Sequence, residues 1–197
     1  MLLLISPAKS VDFESPSHTD HTSEPDFKAE STRLIKKLGT FSKNKIGELM
    51  SISPELAALN VDRYKKWAPE PKREDTKQAL LAFNGEVFRG LNAKNMSEED
   101  IQFAQDHLRI LSGLYGLLRP MDLIQPYRLE MGTRLKYYSY NNLYQFWGNK
   151  ITKRINADLD DSKVVVNLAS TEYYKSVVEP KLKVKVITPI FKDFSNG

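Results

Sequence analysis

The sequence predicts a mixed α+β fold in a single compact domain, and three observations carry that expectation. Residues 1–5 and 164–168 are unbroken apolar runs, the pattern of strands covered on both faces, so the two are expected in one sheet. Most of the chain between them places apolar residues at helical spacing, bounded by Ser, Pro and Gly at capping positions. The composition is that of an ordinary globular protein: 197 residues, 41% hydrophobic and 27% charged, with nine Gly and ten Pro. That balance excludes disordered, collagenous and repeat architectures. The absence of Cys excludes disulfides, Cys-ligated metal centres and thiol nucleophiles, and suits a reducing compartment.

Taken in order, the first apolar run stops at Ser6-Pro7 and has no basic region before it, so it is a strand and not a signal peptide or membrane span. Residues 14–25, rich in Ser, Pro and His, read as an exposed loop. Phe27, Leu34, Ile35 and Leu38 share a helix face that ends at Gly39, and Ser42 caps a short turn carrying Ile46, Leu49 and Met50. Ser53 at the N-cap with Pro54 behind it starts a helix through Leu56, Leu59, Arg63/Tyr64 and Trp67, which Pro69 and Pro71 end. Residues 79–83, followed by Asn84-Gly85, look like a buried strand and a tight turn, although so short a run also suits a helix end.

Ser97 and Asp100 resemble a capping box, and the helix they open has Ile101, Ala104, Leu108 and Leu111 as its core face and Gly113 as its stop. A second long helix is expected over residues 142–158, with Leu143, Trp147, Ile151 and Ile155 inward and Gly148 allowing close packing. After the strand at 164–168, Ser170 caps a short helix that Pro180 ends. Leu182, Val184 and Val186 then alternate with Lys183 and Lys185 as an edge strand. Ser195-Asn196-Gly197 is a hairpin signal, so the chain is expected to be shorter than the domain its sequence was built for, leaving that edge open.

The net charge of +4 is unevenly spread. Arg33, Lys36, Lys37, Lys43 and Lys45 form one acid-free block, which reads as a solvated face. From His107 to Ala157, eight basic residues face only Asp122 and Glu130, and they interleave with Tyr115, Tyr127, Tyr137, Tyr138, Tyr140, Tyr144 and Trp147. Arginine forks suit phosphates and rings can stack on bases, although aromatics at this spacing also serve a core.

Chemical motifs are few. His18 and His21 sit in the Ser/Pro loop beside Asp20 and Asp26 without a helical frame, so no metal site is expected; no nucleophile elbow, zinc-protease helix or Walker loop is present. Lys9 follows the first strand directly, where crevices open at strand ends, and serves equally as a phosphate ligand or an ordinary loop lysine. Residues 167–170 leave the other buried strand and border the same cleft if the two strands are neighbours. Gly113-Leu114-Tyr115-Gly116, flanked by Arg109 and Arg119, has the make-up of a helix-hairpin-helix turn whose backbone N–H groups meet a phosphate; a packing loop is the alternative.

Five segments together resemble, in order and over nearly the whole chain, the YaaA family of bacterial peroxide-stress proteins: residues 3–9, 81–88, 108–135, 143–148 and 165–170. The resemblance implies a cytoplasmic α+β protein with a positively charged cleft and a helix-hairpin-helix-like element. It implies DNA binding that limits damage from peroxide and free intracellular iron. Carried onto this sequence, Gly113, Leu114, Tyr115 and Gly116 form the hairpin, and Lys9, Arg109, Arg119, Arg128 and Arg134 line the cleft. Family members continue past the Asn-Gly turn, so part of the cleft wall is expected to be missing here.

The reading is of a monomeric protein that recognises DNA backbone and shape, without a membrane, cofactor, metal or catalytic residue. An alternative is an enzyme on nucleic acid or a nucleotide, with Lys9 as clamp or nucleophile and Glu130 or Glu172 as acid/base. A third reading is iron sequestration through His18 and His21.

Overall fold

The computed structural model describes residues 1–159 and 164–192. Strand β1 (Leu2–Ile5) leads through a long irregular stretch to helices α1 (Lys28–Leu38), α2 (Lys43–Met50) and α3 (Pro54–Lys66). Ser42 and Ser53 cap α2 and α3 by accepting from the N–H groups of Lys45 and Leu56. A two-residue strand β2 (Lys77–Gln78) precedes α4 (Ala79–Ala82), α5 (Glu86–Leu91) and α6 (Glu98–His107). The capping box of Ser97 and Asp100 is complete. Strands β3 (Leu108–Ser112), β4 (Gly116–Leu118) and β5 (Leu123–Ile124) follow, then helices α7 (Leu143–Trp147) and α8 (Lys150–Ala157). Strand β6 (Val164–Asn167), helix α9 (Thr171–Tyr174) and strand β7 (Lys185–Ile187) complete the order.

The central sheet runs β4-β3-β1-β6-β7 and is mixed. The first strand lies parallel to β3 on one side and β6 on the other, with Leu3 opposite Leu108 and Val166, so the two apolar runs do share a sheet and are direct neighbours. Leu2, Leu4, Ile110 and Val165 are fully buried, as continuous apolar strands require. The edge strand is shorter than its alternation suggested, because Lys183 donates its N–H to Asn156 and β7 starts only at Lys185; it pairs parallel with β6 and ends the sheet, with no partner on its outer side among the described residues. The turn expected at 195–197 lies outside the described residues. Among the described residues, no helix is long and apolar enough to cross a membrane.

Three expectations are corrected. The helix opened by Ser97 does not reach Gly113: it stops at His107, and Leu108 takes extended angles to begin β3, all five residues of which are buried. Leu108 and Leu111 fit a helical face as well as a strand, and the vacant place beside β1 decides for the strand. Residues 79–82 are a helical turn, not a strand; the adjoining β2 pairs antiparallel with β5. The helix expected over 142–158 is two helices, broken at Gly148, whose φ of 49° and ψ of −119° only glycine adopts readily.

Candidate functional site

Two loops leave the carboxyl ends of the parallel strands β1 and β6 side by side. Leu168 N–H donates to the Leu4 carbonyl at 2.8 Å, and Ser170 N–H donates to Ser6 Oγ at 2.9 Å. The two loops expected to border one cleft are therefore neighbours, and beside them Pro7, Lys9, Tyr127, Arg128, Glu130 and Tyr173 line a shallow crevice of about 10 Å³. Lys9, two-thirds exposed, lies 3.0 Å from Glu130, and Arg128 reaches the other oxygen of the same carboxylate at 2.9 Å. Arg128 Nε is buried and has no hydrogen-bond partner among the described residues.

Helix α3 supplies a further cation. Tyr64 donates its hydroxyl proton to the Arg128 carbonyl, which holds the helix against this segment and sets Arg63 beside Arg128. Burial first, and then the charge of Arg128, hold Arg63 below its ordinary value. Two cations, Lys9 and Arg128, thus meet on the Glu130 carboxylate, Arg63 stands beside Arg128, and Glu172, in the first turn of α9, accepts from the Gly132 N–H. The phenols nearby stay protonated: burial pushes Tyr115 up to about 12 and raises Tyr64, Tyr127 and Tyr173.

The turn at residues 113–116 is not part of a helix-hairpin-helix. It is a buried three-residue connection between the antiparallel strands β3 and β4, closed by Gly116 at φ 70°. Its polar groups are already used. Trp147 Nε1–H donates to the Gly113 carbonyl, Ser31 Oγ–H to the Leu114 carbonyl, and Tyr115 N–H donates to Ser112 Oγ. Gly113 lies directly beneath the backbone of Leu129 and Glu130, and Gly116 beneath the Trp147 ring. The turn shapes the crevice from below and presents no N–H group to solvent.

The predicted cations divide. Arg109 is buried: its Nε donates to Asp158 at 2.6 Å and its Nη1 to the carbonyls of Gln105 and Leu108 at 2.8 Å, so it is structural and not a lining residue. Arg119, a quarter exposed, holds Asp122 through its backbone N–H and Nε and caps the Glu24 carbonyl. Arg128 and Lys9 meet in the crevice. Arg134 is exposed and has no ion-pair partner among the described residues.

Residue-by-residue alternation from Tyr127 to Lys136 arranges this segment: Tyr127, Leu129, Met131, Thr133 and Leu135 are buried, while the even-numbered positions reach solvent. The period-2 signal is present in the sequence from Tyr127 through Lys136, inside a block whose charges and interleaved rings drew the reading instead. Arg63 had no sequence signal, because the spacing of α3 leaves Arg63 and Tyr64 equivalent. Of the two paired histidines, His21 lies 3.0 Å from the Glu98 carboxylate, and no group of three His, Cys, Asp or Glu side chains suited to a metal occurs among the described residues. A larger pocket of about 430 Å³ lies by Asp12, Asn84, Phe88, Arg89 and Lys94; there Arg89 is engaged by Glu86 and Asn84, and Asp12 accepts from the N–H groups of Glu14 and Ser15.

Comparison with known proteins extends over the same residues. A UPF0246 protein of Janthinobacterium sp. (strain Marseille) is 50% identical over 199 residues, spanning 100% of this chain and 77% of its own length. UPF0246 proteins of Burkholderia pseudomallei (strain 668) and Burkholderia thailandensis are each 49% identical over 201 residues, with the same coverage. The family described as peroxide stress protein YaaA matches residues 1–197. With its crevice assembled from the segments that carry the likeness, the chain belongs to the YaaA family of peroxide stress proteins.

Proposed function

We propose that this peroxide-stress protein binds DNA through the sugar-phosphate backbone at the Lys9 crevice and along the segment that leaves it. The observation that carries the reading is the convergence of Lys9 and Arg128 on Glu130 with Arg63 beside Arg128, Arg128 Nε having no partner among the described residues. A phosphate offsets the positive charge of such a group, and it accepts from Lys9 and from the Arg128 guanidinium as that side chain turns outward from Glu130. Downstream, residues 131–157 contain no Asp or Glu, and Arg134, Lys136, Lys150 and Lys153 have no carboxylate partner among the described residues. Such a protein needs no catalytic residue to shield DNA from oxidants, and it recognises backbone and shape more than sequence.

The test is a salt titration of duplex binding. Affinity is expected to fall steeply between about 50 and 200 mM salt as counterions are released, and Lys9→Gln or Arg134→Gln is expected to reduce the log–log slope by about one. Affinity independent of salt would overturn the reading.

A second reading rests on the 3.0 Å approach of Lys9 to Glu130 beside Tyr173, an amine and carboxylate held at a strand-end crevice as in an enzyme acting on a nucleotide. It requires a product that forms with the intact protein and not with Lys9→Ala. Unchanged nucleotides and nucleic acids in both incubations would dispose of it.

A further inference from the structure

We infer that the turn at Tyr138 is a base-stacking tip, and that the partner it fits is single-stranded or locally unpaired nucleic acid. The inference rests on the backbone-binding reading and adds to it the class of strand that is preferred. Tyr137 and Tyr140 exchange backbone hydrogen bonds of 2.9 Å in both directions, closing a two-residue turn around Tyr138 and Ser139. Tyr138 occupies the left-handed region at φ 49° and is 92% exposed. For a bulky residue both facts run against ordinary preference: Asn or Gly fits that backbone without strain, and a phenol ring gains by burial. A strained position that also holds a large ring in water points to a use for the ring.

The surroundings supply the occupant. Tyr138 stands edge-to-face on Tyr137 at 4.8 Å, and Tyr137 and Tyr140 in turn pack on Phe146 at 5.4 and 5.9 Å, with Lys150 Nζ over the Phe146 ring. The tip is therefore backed by an aromatic cluster. Arg134 and Lys136, both exposed, immediately precede it within the acid-free segment. An aromatic face with cations on one side and no carboxylates in its own segment complements a strand of bases on a phosphate chain. Paired and stacked bases offer no face to such a ring, whereas unpaired ones do.

The experiment measures anisotropy of three labelled nucleic acids of equal length at one salt concentration: a single strand, the same strand with its central nucleotides abasic, and a duplex. The ring is removed by Tyr138→Asn, which keeps a residue suited to the left-handed turn, and restored in another form by Tyr138→Trp. The wild type is expected to bind the base-bearing strand more tightly than the abasic one. Tyr138→Asn is expected to lose about 5- to 100-fold on the base-bearing strand, to change abasic-strand and duplex binding by less than about twofold, and to melt at the same or a higher temperature. Tyr138→Trp is expected to retain base-strand binding. Equal wild-type affinity for base-bearing and abasic strands, or unchanged base-strand affinity in Tyr138→Asn, overturns the stacking tip while leaving backbone binding intact. Failure of the wild type to bind any of the three overturns the backbone reading itself, and the stacking tip with it.

Discussion

At Gly113 an added methyl group would collide with the Leu129 carbonyl and press on the Glu130 carbonyl carbon, and backbone atoms of a packed segment have no rotamer to escape into. Gly113→Ala is therefore expected to destabilise by about 3 kcal/mol, the upper part of the range for overpacking, and to displace Arg128 and Glu130 with the segment. Thermal melting reads the first effect. A melting temperature equal to wild type would show that the turn yields. Asp122 gives a different kind of test. It is fully buried, and desolvation pushes its carboxyl up to about 6 despite hydrogen bonds from Ser23 and Arg119. The folded state thus holds a proton that the unfolded chain releases near 3.8, so stability is expected to fall as pH rises from about 4 to about 6, by up to ~3 kcal/mol. Asp12, held down at about 2 chiefly by the Ser15 hydroxyl, acts below that window. Urea unfolding at about pH 4.5 and 7.5 checks the sign, and Asp122→Asn is expected to flatten the difference. A wild type more stable at the higher pH would contradict the assignment.

Between elements, the decisive contacts are ionic where the sequence suggested ligand binding. Arg109 at the start of β3 pairs with Asp158 at the end of α8; Asp158 also takes Arg154, and Arg154 takes Asp26, which approaches Arg119 at 3.9 Å. Breaking the buried pair by Arg109→Ala is expected to cost about 3 kcal/mol, because Asp158 keeps only Arg154 as partner and the Gln105 and Leu108 carbonyls lose a charged donor inside the fold. Arg109→Met combined with Asp158→Leu is expected to recover most of that loss, and neither change is expected to alter the salt slope of DNA binding. A reduced slope in a stably folded Arg109 variant would return it to the interface. This pairing also explains what could be read in advance. The caps at Ser42, Ser53 and Ser97 and the two apolar strands depend on near neighbours in sequence, so local pattern suffices for them. The end of α6 at His107, the helical turn at residues 79–82 and the fate of Arg109 depend on partners far along the chain: β1, β5 and Asp158. Charge in the Arg109 to Arg154 block was legible as a sum, but which cations are neutralised inside the fold was not.

For the whole molecule, the sheet separates what is fixed from what is free to meet a partner. The middle strand β1 is paired on both sides and buried, and the 113–116 turn next to it is enclosed by Trp147, Ser31 and Leu129. The Lys9 loop, the exposed positions of residues 128–136 and the Tyr138 turn lie outside that enclosure. Hydrogen exchange is therefore expected to be slowest in β1 and β3 and fastest at residues 132–142, with β7 in between because one side of it is unpaired among the described residues. Nucleic acid added at low salt is expected to slow exchange in the Lys9 loop and at residues 132–142, because ligand contacts suppress local opening there. The 113–116 turn, whose N–H groups are already enclosed, is expected to change no more than the rest of the sheet. This comparison separates the two ways in which the same block of sequence could meet DNA. Protection confined to 113–116 would require the turn to leave the core and would restore the hairpin as the contact. Protection at Lys9 and 132–142 together assigns the contact to the crevice and the segment leaving it, with the glycine turn as their support.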